Sequence, residues 1–284
     1  MTVRAFPSLE PEAIAATRDA LHAYSRVPGS WLEACRRRRK HWWHISLRPS
    51  LRGLSTGPVH TSIHFELELD LRNSLLRGEV AGGGELVEAL DGRPAAALAE
   101  KVEEFLVAEG IAATPDTENP DAAVAAEHPG YSPAAATSIA DAWLSVARAI
   151  TRLRAETPEE TSPIQLWPHH FDLSMLWLPG EKIPGQDPAD AEYSDKQINI
   201  GFTLGDPGIT EPYFYLTAHP LPAGFPALSL PTGSAWQNEG FSGVVTLYRD
   251  VAGRAEPENY LLDLWRGLLQ AGREQMLSGS NTSQ

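Results

Sequence analysis

The chain has 284 residues, 42% of them hydrophobic and 21% charged, with a formal net charge of -14 at pH 7. That composition is globular, and the length suffices to bury roughly three quarters of the unfolded surface in one large domain or two packed small ones. The acid excess argues against nucleic acid, whose binding depends on clustered Lys and Arg; no apolar run reaches the about 18 residues of a bilayer span, and one cysteine, Cys35, cannot form an internal disulfide. With no apolar signal segment in MTVRAFPSLEPEA, these features predict a soluble, cytoplasmic protein without a nucleic-acid or membrane partner.

In chain order, Ser8 is placed to cap a helix that starts near Glu10, carries Leu21 and Tyr24, and stops by Pro28-Gly29. The basic run 36–40 reads as a solvated helix end or turn rather than a polyanion contact. Segment 41–48 alternates as a strand, Trp43, Ile45 and Leu47 on one side and Trp42, His44, Ser46 and Arg48 on the other. Segment 63–71 alternates most cleanly, Ile63, Phe65, Leu67, Leu69 and Leu71 against His64, Glu66, Glu68 and Asp70, which predicts a half-buried antiparallel strand. Gly82-Gly83-Gly84 is a turn, and Pro94 opens a helix whose Leu98, Val102, Phe105 and Leu106 keep helical spacing as far as Gly110.

The Pro/Ala/Asp-rich segment 112–131 reads as a connector between an N-terminal half, 1–111, and a C-terminal half, 132–277. Ser132-Pro133 opens a helix with a stripe of Ile139, Trp143, Val146, Ile150 and Leu153 that ends before Thr157-Pro158. Segment 165–175, QLWPHHFDLSM, follows as a strand, with Trp167, His169, Phe171, Leu173 and Met175 on one face and His170, Asp172 and Ser174 on the other. After a loop over 179–191, strands are expected over 197–204 and 211–219, then a Pro/Gly loop over 220–243 and a short strand over 244–248. Pro257 opens a last helix with Leu261, Leu264, Trp265 and Leu268 on one face, and the polar tail 278–284 is expected to be disordered.

This order predicts an α+β fold, an antiparallel or mixed sheet with helices packed on one face, with two similar α-βββ-α halves. WWHISL (42–47) lies over PHHFDL (168–173), a weak sign of duplication that two amphipathic strands would also produce. If the halves pair, their strands form one continuous sheet.

In such a sheet the polar strand faces converge, gathering Trp42, His44, Arg48, His170, Asp172, Asn199, Tyr213, Tyr215 and His219 into an aromatic-walled small-molecule pocket. The plain alternative is a solvated face that does nothing more than meet water. His170 and Asp172 would stand about 6.5 to 7 Å apart on one strand face. With His44 they could hold a divalent metal, iron or zinc, as a two-His-one-carboxylate set. Equally, Asp172 could orient His170 as a general acid or base, or the two could be a structural hydrogen bond. His41 and His44 would point to opposite faces, GFTLGDPG (201–208) matches no phosphate-binding loop, and Asp206 reads as a turn cap.

LWPHHFDL, INIGFTLGD and EPYFYL, in that order, resemble a bacterial, largely actinobacterial family of uncharacterised proteins. Its members carry LWP-x-HFD, N-x-G-x-S-x-GD and EPY-x-Y, and HWWHISLRPSLRGLSTGP resembles its N-terminal signature. The matching residues are Trp167, His170, Phe171, Asp172, Asn199, Gly201, Gly205, Asp206, Glu211, Pro212, Tyr213 and Tyr215. His169 stands where many members have Glu, and Thr203 where they have Ser. The resemblance implies no activity; it selects the residues that alternation placed on the polar face and adds Glu211 and Asp206. The expectation is therefore an enzyme acting on a small organic molecule, with Asn199, Glu211, Tyr213 and Tyr215 positioning it, or else a non-catalytic module that binds a small molecule or a protein.

Overall fold

The computed structural model describes residues 5–113, 115 and 125–277; the expected tail, and half of the expected connector, lie outside them. The first stretch holds α1 (Pro11–Cys35), β1 (Arg48–Pro49), β2 (Gly53–Ser55), β3 (Phe65–Asp70), β4 (Leu75–Val80), β5 (Glu85–Ala89) and α2 (Ala95–Ala108). Then come α3 (Pro133–Glu156), β6 (Glu160–Thr161), β7 (Gln165–Trp167), β8 (Asp172–Leu178), β9 (Gln197–Thr203) and β10 (Tyr213–His219). The chain continues through β11 (Ser234–Gln237), β12 (Gly243–Leu247), α4 (Tyr248–Ala252) and α5 (Pro257–Leu277). The class is α+β, with two antiparallel sheets rather than one continuous sheet. The residues group into two compact units, one of Leu9–Leu144 with Gln165–Phe171, the other of Ser145–Ile164, Asp172 onward and a short piece before Leu9.

In the first unit the sheet is a meander, β1-β2-β3-β4-β5. The alternation of β3 is realised, with Phe65, Leu67 and Leu69 buried, and Trp31 of α1 meets Phe65 edge-on at 6.1 Å. Helix α2 buries Leu98, Val102 and Leu106 as its spacing predicts. Helix α1 does not stop at Pro28 but runs on to Cys35. A proline inside a helix costs about 3 kcal/mol, yet burying Val27, Trp31 and Leu32 at about 1.5–3 kcal/mol each outweighs it. Gly29 admits a close neighbour, since a Cβ there would stand 3.0 Å from Pro168 Cγ.

Two expected strands are replaced in part by turns. Over 41–48, Lys40–Trp42 forms a 3₁₀ turn and only Leu47 enters a ladder, bridging Leu166, before β1 begins. His41 and Trp42 take φ of 52° and 55°, which no extended strand allows. Over 165–175, β7 ends at Trp167, whose carbonyl accepts from the His170 and Phe171 amides, and Phe171 takes φ of 57°. Strand alternation therefore stops at Trp167 and restarts at Asp172.

In the second unit the strand order is β11-β12-β10-β9-β8-β6, and β11 is an edge strand inside the stretch expected to be loop. Leu173, Met175, Ile198, Ile200, Phe202, Phe214 and Leu216 point to one face, which α5 covers. Trp265 meets Phe214 edge-on at 5.8 Å, and a Cβ at Gly272 would stand 2.4 Å from Ile198 Cδ1, so glycine lets this helix lie close. The other face of β8, β9 and β10 carries the polar residues. No helix among the described residues is long and apolar enough to cross a membrane.

Candidate functional site

Register sets the polar face of the second unit. Across β8, β9 and β10, Ser174 pairs with Gly201 and Gly201 with Tyr215, while Asp172 pairs with Thr203 and Thr203 with Tyr213. The Tyr215 ring crosses the middle strand over Gly201, because a Cβ there would stand 2.4 Å from Tyr215 Cζ and Oη and 2.6 Å from Ser174 Cβ. The phenol thereby reaches β8 and donates to Asp172 Oδ2. Asn199 Nδ2 donates to Tyr215 Oη at 3.4 Å.

This chain of donors fixes the amide. A phenol has one proton, and Tyr215 gives it to Asp172, so its oxygen can only accept and the NH₂ of Asn199 must face it. Asn199 Oδ1 is turned away and has no hydrogen-bond partner. Gln197, two residues earlier on the same face, spends Nε2 on the Glu192 carbonyl at 3.0 Å, which likewise leaves Oε1 without a partner. Burial, then the Asp172 carboxylate, push the Tyr215 phenol well above its usual range, with Ser174 opposing slightly; at neutral pH Tyr215 is a donor, not a base.

A second group of residues staples the β9–β10 hairpin. Asp206 Oδ1 accepts from the Gly208 and Ile209 amides at 2.7 and 2.9 Å, as the turn-cap reading expected, and its Oδ2 accepts from Tyr213. Burial, and next Asp206, raise the Tyr213 phenol. Gly205 has φ of 102°, and a Cβ there would meet the Thr210 carbonyl at 2.5 Å. Glu211 pairs with Arg249. The motif residues after Asn199 thus divide between closing the hairpin and aiming Tyr215.

The other expected site residues belong to the first unit. Arg48 donates to Gln165 Oε1 at 2.7 Å, as does Ser46. Trp42 stacks with His44 at 5.8 Å and meets His169 at 6.3 Å, and His169 lies 4.4 Å from His170. His44 is buried, accepts the Arg39 amide on Nδ1 at 3.3 Å, and has its pKa lowered by burial. His170 is exposed, in the turn before β8, and not on one strand face with Asp172.

His22 and Arg26, one helical turn apart on α1, were not singled out from the sequence, although i,i+4 spacing marks them as neighbours. Arg26 donates to His22 Nε2 at 3.3 Å, and His22 stacks on Phe171 at 5.0 Å. Burial and then Arg26 hold His22 at about 4; burial and then His170 hold His169 at about 4. His22 thus reads as the anchor of the 168–171 turn.

The acid/base and metal readings of His170 and Asp172 took their geometry from a single strand, and the turn removes that geometry. Among the described residues, no three His, Cys, Asp or Glu side chains form a group that could hold a metal ion.

A family of unknown function, DUF5996, matches residues 6–276, and the chain belongs to it. No curated protein and no solved structure matches the chain significantly.

Proposed function

We propose that this family member binds a small organic molecule presenting hydrogen-bond donors, an amine foremost, on the Asp172–Tyr215 face of the second unit. The observation that carries the reading is the forced orientation of Asn199, which leaves Oδ1 as a buried acceptor without a partner on the face that also carries Asp172. A second such acceptor, Gln197 Oε1, lies on the same face, and a buried acceptor left unmet costs about 1–3 kcal/mol. The described residues that β8, β9 and β10 turn to this face include no Lys or Arg, and the Asp172 carboxylate there favours a cation over an anion.

Thermal shift and calorimetry with benzylamine, butylamine, benzyl alcohol and benzoate test the reading. Benzylamine is expected to bind best and benzoate not at all, and Asp172→Asn to weaken benzylamine by about 10- to 100-fold, the worth of a charge-assisted hydrogen bond. Equal binding of benzylamine by wild type and Asp172→Asn would sink it. Mass spectrometry of the mixture then separates a bound ligand from a consumed one.

A further inference from the structure

Four of the histidines are absorbed by packing: His22, His41, His44 and His169 are buried or half-buried against the rings of Phe171, Trp43 and Trp42. His60 and His64 are different. Both are exposed, and their rings meet edge-on with centres 4.8 Å apart. Among the described residues neither imidazole makes a hydrogen bond or an ion pair.

The backbone fixes this pair at the neck of a hairpin. Val59 and Phe65 exchange both backbone hydrogen bonds, Val59 N to Phe65 O at 2.7 Å and Phe65 N to Val59 O at 3.2 Å, and both side chains are buried. The next pair toward the loop, His60 and His64, is therefore of the non-hydrogen-bonded kind, in which side chains stand closest, and alternation turns both to the solvated face. Thr61 Oγ1 donates to the Ile63 carbonyl and accepts the Ile63 amide at 3.3 Å, which braces the loop between them.

A metal ion held at about 2.0–2.1 Å from one nitrogen of each ring, at right or tetrahedral angles, sets the ring centres about 4.5–5.3 Å apart. The observed 4.8 Å lies inside that range. Turning a nitrogen of each ring inward needs rotation about χ2, which is broad for histidine, and no hydrogen bond among the described residues holds either ring. The surroundings favour a cation. Glu66 follows His64 on the same face, about 6.5–7 Å along the chain, and register sets Glu79 opposite Glu66 and Glu85 opposite Glu79. Like charges directly opposite one another destabilise a sheet, and a dication within a Debye length of about 8–10 Å offsets that repulsion.

We propose that His60 and His64 chelate one divalent transition-metal ion of the zinc and copper class, with water in the remaining coordination positions. Imidazole nitrogen suits these ions, whereas Mg²⁺ and Ca²⁺ take oxygen donors. The site lies within the first unit, and neither it nor the amine-binding reading depends on the other.

Calorimetry of the full chain with Cu²⁺, Zn²⁺ and Mg²⁺ tests it. Cu²⁺ is expected to bind more tightly than Zn²⁺, and Mg²⁺ not measurably. His60→Gln and His64→Gln should each weaken Zn²⁺ by at least 10-fold while keeping the wild-type circular dichroism spectrum, since both side chains are exposed. In a chelate either substitution releases the shared ion, so the double variant should bind little worse than each single one, whereas two independent histidines give additive losses. Wild-type Zn²⁺ affinity in either single variant, strictly additive losses, or no Zn²⁺ binding at millimolar concentration overturns the site. Mg²⁺ binding as tightly as Zn²⁺ overturns the imidazole assignment.

Discussion

Gly201→Ala places a methyl group where the Tyr215 ring crosses β9. The added carbon would stand 2.4 Å from Cζ and Oη, more than 1 Å inside the roughly 3.5–4.0 Å of an ordinary carbon contact. The ring has to move, and the donor chain Asn199 to Tyr215 to Asp172 breaks with it. Loss of a hydrogen bond to a carboxylate costs about 1.5–3 kcal/mol and overpacking about 1–3 kcal/mol, so the variant should lose about 3–5 kcal/mol. Tyr215→Phe removes the hydrogen bond without the clash and should lose about 1.5–3 kcal/mol. In the double variant the hydrogen bond is already gone, so the two losses should fall short of additive by about 1.5–3 kcal/mol. Urea titration followed by circular dichroism supplies all three values. A Gly201→Ala variant within about 0.5 kcal/mol of wild type, or strictly additive losses, would refute the crossing as the reason for glycine.

Acid should destabilise the first unit through the half-buried His22 and His169. His22 and His169 are held at about 4 against an ordinary 6.5, so above pH 6.5 neither state binds the proton and the neutral imidazoles cost nothing. As pH falls from 6.5 to about 4 the unfolded chain is protonated first, and stability should drop by about 3 kcal/mol for one such histidine. His22→Gln should flatten that slope, and an unchanged slope between pH 6.5 and 4 in urea titrations would contradict the assignment. Asp70 is fully buried and accepts from Arg77 Nε at 3.0 Å and from the Asn73 amide at 3.0 Å. Asp70→Ala leaves those donors unpaired and should cost about 3–5 kcal/mol, and a loss under about 1 kcal/mol would count against a structural role for the pair.

Periodicity alone was enough wherever one element meets one layer. The stripe of α3, the alternation of β3, and the sides of their own strands on which Asp172, Asn199, Tyr213 and Tyr215 lie are all legible from spacing, because side-chain direction in a helix or strand repeats with a fixed period. Asp206 as a turn cap was legible too, since a short acidic side chain after glycine bonds its own backbone. What spacing misjudged was where a strand breaks. HWWHISLR and QLWPHHFDLSM alternate well, yet His41, Trp42 and Phe171 adopt left-handed backbones inside them, and His170 leaves the strand it was assigned to share with Asp172. Pro28 reads as a helix end and is overridden by the burial of Trp31 and Leu32. Which strand lies beside which, and hence that Tyr215 reaches Asp172 across a glycine, came only from the register of the folded sheet. Local pattern records which way each side chain points within its own element; backbone strain, the glycine crossing and the pairing of distant strands arise from contacts between residues far apart in the chain, which local periodicity does not encode.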